Sequence, residues 1–161
     1  MSKTTPATLA LNKLGIAFET FAYDYDPDAV RVGLQAAEAL GEPAGRVLKT
    51  LMAQVDGKPV CVILQSDREL SMKKVAAAFG GKSASMLPVS DAERISGYKV
   101  GGVSPFGQRR RLPTAIERSA LDEPYVYLNG GQRGLQVRLP PLDAQRAAAA
   151  TAADLLAQVD G

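Results

Sequence analysis

The chain has 161 residues, 46% of them hydrophobic and 22% charged, with a formal net charge of +2. These values suit one soluble globular domain over 1–161 and argue against an avid, sequence-independent nucleic-acid binder. With no histidine and one cysteine, the chain has no Ser-His-Asp or Cys-His catalytic set, no internal disulfide and no donor set for zinc.

No apolar run reaches the ~18 residues of a membrane span, and residues 1–6 lack the apolar core of a signal peptide. The expected setting is the cytoplasm, with no metal or other cofactor. Residues 5–14 predict a short helix, with Pro6 in its first turn and Gly15 as its stop. Alternation over 16–23 predicts a strand, followed by an acidic loop at 24–28. Residues 32–40 read as a helix closed by Gly41. Two apolar runs, 47–55 and 59–65, flank Asp56-Gly57, a strong hairpin signal. The second run holds Cys61, which reads as an inert core thiol.

Residues 71–79 predict a helix with Ser71 as N-cap and Gly80-Gly81 as stop. A short strand at 84–87 precedes a helix at 90–95, capped by Ser90 with Glu93 in the capping-box position. Residues 97–113 show no periodicity and carry four glycines and two prolines. Strands at 125–128 and 135–139 surround Asn129-Gly130-Gly131-Gln132-Arg133-Gly134. The alanine-rich stretch 142–159 is a helix by propensity. Helices and strands interleave without a βαβ rhythm, which predicts an α+β fold on a mixed sheet.

Three features point to chemistry. Long irregular segments in small domains are often functional, and adjacent glycines such as Gly101-Gly102 let backbone amides approach a carbonyl oxygen or phosphate. An ordered structural turn explains the same loop equally well. Lys49 shares one face of an apolar strand with Val47 and Leu51; it is either a site residue or a strand-end lysine that snorkels to water. Arg109-Arg110-Arg111 is a local basic cluster, and a solvated face accounts for it when it is taken alone.

Taken together, Lys49-Thr50, Gly97-Tyr98-x-x-Gly101-Gly102-x-Ser104-Pro105-x-Gly107, Leu112-Pro113 and Gly130-Gly131-x-Arg133-Gly134-Leu135 resemble the YbaK family. These are deacylases related to the editing domain of bacterial prolyl-tRNA synthetase. The branch most like this chain clears cysteine from tRNA(Pro). The resemblance implies an α+β fold with a mixed, curved sheet flanked by helices. It implies Lys49 as the key active-site lysine, with Gly101, Gly102, Val103, Ser104 and Pro105 as the substrate loop. Tyr23 and Thr50 would line the pocket, near Gly130 and Gly131. Val32 stands where the family often has an aromatic, and Asn129 where it often has a serine, so both bear on which amino acid is cleared.

The implied substrate is an aminoacyl-tRNA ester, with tRNA(Pro) as carrier and prolyl-tRNA synthetase as a candidate partner. With no side-chain nucleophile evident, the substrate's own thiol would attack its carbonyl while loop amides stabilise the oxyanion. Arg109, Arg110 and Arg111 follow the loop and would meet acceptor-stem phosphates. Alternatives are clearance of alanine or another small amino acid, a non-catalytic tRNA- or synthetase-binding protein, and a phosphate-binding module. The last lacks the Gly-Lys-Ser/Thr signature of a P-loop.

Overall fold

The computed structural model describes residues 4–29 and 32–158. Helix α1 (Pro6–Lys13) is opened by Thr5, whose hydroxyl accepts from the Thr8 amide at 3.1 Å. It ends in a left-handed Gly15 with φ 72°. The Gly15 and Ile16 amides return to the carbonyls of Asn12 and Leu11, a pattern that satisfies the helix's last acceptors. Ile16 therefore serves the helix end, and β1 covers only Glu19–Ala22 rather than all of 16–23.

The predicted helix at 32–40 divides into a 3-10 turn, Val32–Leu34, and α2 (Gln35–Leu40). Next come β2 (Leu48–Val55) and β3 (Lys58–Gln65). Asp56 and Gly57 between them take positive φ of 50° and 81°, the conformation that a two-residue hairpin turn needs. Helix α3 (Met72–Ala78) is capped by the Ser71 hydroxyl, and β4 (Ala84–Met86) follows.

Helix α4 (Val89–Ser96) begins one residue before Ser90. Its N-cap is Pro88, with no side-chain cap, so the expected Ser90 capping box is absent. The Glu93 carboxylate instead accepts the Val100 amide at 2.9 Å. Tertiary need outweighs the local cap here: the same carboxylate anchors the glycine-rich loop.

The remaining strands are β5 (Thr114–Glu117), β6 (Val126–Asn129) and β7 (Leu135–Leu139). The alanine-rich stretch is not one helix. Helix α5 (Pro141–Ala147) stops at Ala148, Ala149 turns with φ 51°, and β8 (Ala150–Ala153) pairs in parallel with β5. Helix propensity is a weak prior that tertiary pairing overrides. The open edge of β5 accepts four residues, and fully buried Leu155 donates its amide to Glu117 at 2.9 Å. Residue 159, where the predicted helix ended, lies outside the described residues.

The strands form two sheets, one ordered β4-β2-β3-β5-β8 and the other β1-β7-β6. The first is mixed: β4, β2 and β3 run antiparallel, while β5 and β8 run parallel to β3. The second is wholly antiparallel. A bridge between Val47 and Tyr127 links them. The main core contains Leu11, Ile63, Phe106, Ile116, Leu128 and Val137.

One edge of β2 positions everything that follows. Strand β4 covers it only at Ala53–Val55, with Leu87 donating to the Met52 carbonyl at 3.1 Å. The Tyr127 bridge meets β2 just before Leu48. Between these two contacts, residues 49–51 have no strand on that side. The Val47 carbonyl faces the β3 side, where Ser66 donates to it at 3.0 Å. Two-residue alternation therefore turns the main-chain groups of Thr50 toward the gap.

Ala149 carries the cost of a left-handed residue with a Cβ. Ala149→Gly should raise the free energy of unfolding by about 0.5–1 kcal/mol, the relief exceeding the added chain entropy. Urea denaturation measures it; an unchanged or lower value would show that the turn is unstrained.

Candidate functional site

The gap in β2 opens into a pocket of about 350 Å³. Tyr23, Lys49, Thr50, Gly101, Val103 and Asn129 all line it. Apolar walls come from Leu48, Leu51, Met52 and Leu87. Tyr25 and Gln136, which the sequence did not single out, also face it. Gln136 could have been noticed: it is a polar residue in β7 with Leu135 and Val137 on either side, both fully buried.

Lys49 is half-buried, and among the described residues no ion pair or hydrogen bond engages its ammonium. The Thr50 hydroxyl and the Gln136 side-chain carbonyl are both buried without a hydrogen-bond partner. Such orphaned groups cost about 1–3 kcal/mol each. A ligand carrying N–H or O–H donors would satisfy them. Burial raises the Tyr23 phenol pKa, opposed by the Gln136 amide and reinforced by Tyr25. Tyr23 therefore enters the pocket as a neutral hydroxyl.

Two glycine-bearing loops form the far wall. Asn129 Nδ2 donates to the Gly101 carbonyl at 3.2 Å, while its Oδ1 accepts the Gly131 and Gln132 amides at 2.7 and 3.1 Å. Arg133 Nε donates to the Val100 carbonyl at 2.8 Å. A Cβ on Gly102 would stand 2.8 Å from the Arg133 backbone nitrogen, so only glycine lets the loops approach this closely. A Cβ on Gly101, whose φ is 92°, would strike the Tyr25 hydroxyl.

Other predicted residues lie off the pocket. Gly102 spends its amide on the Lys99 carbonyl at 2.8 Å. Ser104 is fully buried, and its hydroxyl accepts the Phe106 amide at 3.2 Å. Pro105 lines a separate cavity with Lys13 and Arg111. Gly130 holds the start of α1, with Thr5 Oγ1 donating to its carbonyl at 2.5 Å. Tyr98 fixes the loop's middle by donating to the Phe106 carbonyl at 2.6 Å. Arg109, Arg110 and Arg111 are exposed outside the pocket; the first two give their amides to the end of α4. The side chain of Val32 lies outside the described residues.

Among the described residues, no cluster of three or more His, Cys, Asp or Glu side chains is placed to hold a metal. No helix there is long and apolar enough to cross a membrane.

The model of the aminoacyl-tRNA editing domain family matches residues 27–147. The chain is 38% identical over 107 residues to EbsC of Enterococcus faecalis, named as a Cys-tRNA(Pro)/Cys-tRNA(Cys) deacylase. That match covers 65% of this chain and 65% of EbsC. A proline–tRNA ligase of Acidithiobacillus ferrooxidans is 28% identical over 92 residues, 57% of this chain and 16% of the ligase. The chain thus spans just under two-thirds of the first relative and a small part of the second. A solved structure described as a trans-editing enzyme for prolyl-tRNA synthetase superposes with a TM-score of 0.81. It covers 98% of this chain and 100% of its own at 23% identity, a likeness of fold.

Cys61 is 1% exposed, and burial pushes its thiol from 9.0 up to about 12, against the smaller lowering effects of Thr114 and Gln108. It should resist iodoacetamide at pH 8 while folded and react once unfolded. The unfolded chain releases this proton near pH 9.0 and the folded one near 12, so the contribution is complete below 9 and stability declines between these values. Cys61→Val should remove that part of the alkaline decline in a denaturation series; an identical pH profile would assign the decline to other groups.

Proposed function

The chain belongs to the aminoacyl-tRNA editing domain family, and on that premise we propose that it hydrolyses the ester of mischarged aminoacyl-tRNA, with Cys-tRNA(Pro) as substrate. One observation carries the reading. The pocket beside Lys49 holds two buried acceptors without partners, the Thr50 hydroxyl and the Gln136 carbonyl. The α-ammonium of an aminoacyl ester brings the donors that both groups lack.

In this reading the amino acid enters between β2 and the glycine loops. Its ammonium binds Thr50 and Gln136, and Tyr23 lies close enough to help orient it. The ester carbonyl faces the gap in β2, where the Thr50 main-chain amide is turned toward it. Lys49 adds positive charge near the developing oxyanion or the ribose oxygens. Gly101 provides a wall without a side chain, and the clamp through Asn129 keeps it in place.

For a cysteinyl ester the nucleophile is the substrate's own thiol. A sulfur–carbonyl bond forms, the ester C–O bond breaks, and the ribose hydroxyl leaves with the thiol proton. Water then opens the cyclic thioester to free cysteine. The protein contributes position and charge rather than a nucleophile, consistent with Cys61 being buried and protonated. The carrier tRNA would be tRNA(Pro), with prolyl-tRNA synthetase as partner and the cytoplasm as setting. Exposed Arg109, Arg110 and Arg111 would meet the acceptor stem.

The deciding experiment compares Cys-, Ala-, Ser- and Pro-charged tRNA(Pro) side by side. Cys-tRNA(Pro) should be cleared fastest, and Ser-tRNA(Pro) much more slowly because its hydroxyl is a far weaker acid. Equal rates for the two would remove the thiol mechanism. Preferred clearance of Ala-tRNA(Pro) would replace the substrate.

Lys49→Ala should fold normally and lose roughly 100-fold in kcat/KM, the scale of a lost oxyanion contact. Thr50→Val should combine lower activity with about 1 kcal/mol greater stability, because it deletes an unpartnered buried hydroxyl. Thermal unfolding and single-turnover deacylation on the same samples test both; a Thr50→Val protein that is less stable and fully active would count against the assignment.

Neutralising Arg109, Arg110 and Arg111 together should weaken tRNA binding. It should also flatten the log–log salt dependence by roughly 0.9 per lost duplex phosphate contact. An unchanged slope would return the cluster to a solvated face.

A further inference from the structure

Large apolar side chains exposed to water are few among the described residues, and three of them gather at one place. Met86 is 44% exposed, Val89 59% and Val100 41%. They come from the end of β4, the first turn of α4 and the glycine-rich loop, and all three also line the pocket beside Lys49. Each belongs to the site and to its outer surface at once, so together they make an apolar rim continuous with the interior.

We propose that this rim is the platform for the 3′-terminal adenine of the aminoacyl-tRNA. The inference rests on the hydrolase reading and extends it from the amino acid to the nucleotide. An aminoacyl ester tethers its nucleobase one ribose away from the reacting carbonyl. With the amino acid inside the pocket, the base must emerge at the mouth. A flat π-surface there finds Met86, Val89 and Val100, and the methionine thioether adds a favourable contact to an aromatic edge. Removing one face of the base from water against apolar side chains is favourable, and it is indifferent to which base is presented.

Charge around the rim agrees. Lys99, adjacent to Val100, is exposed, and among the described residues it forms no ion pair. An apolar rim beside a free cation suits a base followed by a phosphodiester chain. A neutral apolar protein segment would leave that cation unused.

Binding of non-hydrolysable compounds decides the proposal without reference to catalysis. The probe is adenosine carrying cysteine in 3′-amide linkage, and its partner is the same compound without the base. By calorimetry, wild-type protein should bind the adenosine compound about 10-fold more tightly than the base-less one, the scale of burying one apolar face. A Met86→Ser, Val89→Ser double variant, checked for unchanged thermal unfolding, should lose that preference and bind both as wild type binds the base-less compound. Equal affinities of wild-type protein for the two compounds would overturn the platform. So would parallel weakening of both by the variant, or binding of neither. Deacylation of charged tRNA by the same wild-type sample reports separately on the hydrolase reading.

Discussion

The site depends on the Asn129 side chain more than on any other single group. Its amide holds the Gly101 carbonyl with one end and two amides of the 131–132 turn with the other. A neutral side chain thereby joins two loops whose backbones have few regular partners of their own. Arg133 to Val100 adds a second tie, while Glu93 holds the Val100 amide from helix α4. Because Gly102 lies against the Gln132 and Arg133 backbone, the two loops behave as one wall. The pocket can then be shaped by irregular chain without being soft.

The opposite wall works by omission. Strand β2 is paired along the whole of β3 but only partly on its outer edge. A sheet edge left open normally invites pairing with another chain. Here the opening is three residues long and enclosed by loops, so it exposes main-chain polarity to a ligand while remaining too short for a strand. Lys49 and Thr50 sit in this interval, at the point where the sheet offers both a side chain and a backbone group to the same cavity.

Much of this was legible in the residues. Asp56-Gly57 announced its hairpin because both positions needed positive φ. The glycine-rich loop announced itself by its lack of period, and Lys49 by its polarity in an apolar strand. The misreadings have physical causes. Alanine-rich residues 150–153 favour a helix locally, but nothing local reveals that β5 has a free parallel edge waiting for them. Ser90 matches a cap, yet Glu93 was needed elsewhere. Ser104 and Gly102 lie within the loop, but their polar groups are used to fold it. Tyr25 reaches the pocket from the loop after β1, a placement that sequence spacing does not encode.

The union of β8 with β5 also bears on how the chain is made. Glu117 is 4% exposed, and its carboxylate is held by the amide and hydroxyl of Ser119 on one oxygen and by the Leu155 amide on the other. Thirty-eight positions separate Glu117 from that last partner. On the ribosome, the central sheet can assemble through β5 well before residues 150–155 emerge. During that interval β5 is a bare parallel edge, and one carboxylate oxygen lacks the donor that lets it be buried. A chain that ended before residue 150 would keep that edge open and leave the buried carboxylate short of a donor. The late strand is less an appendage than the closing seam of the central sheet.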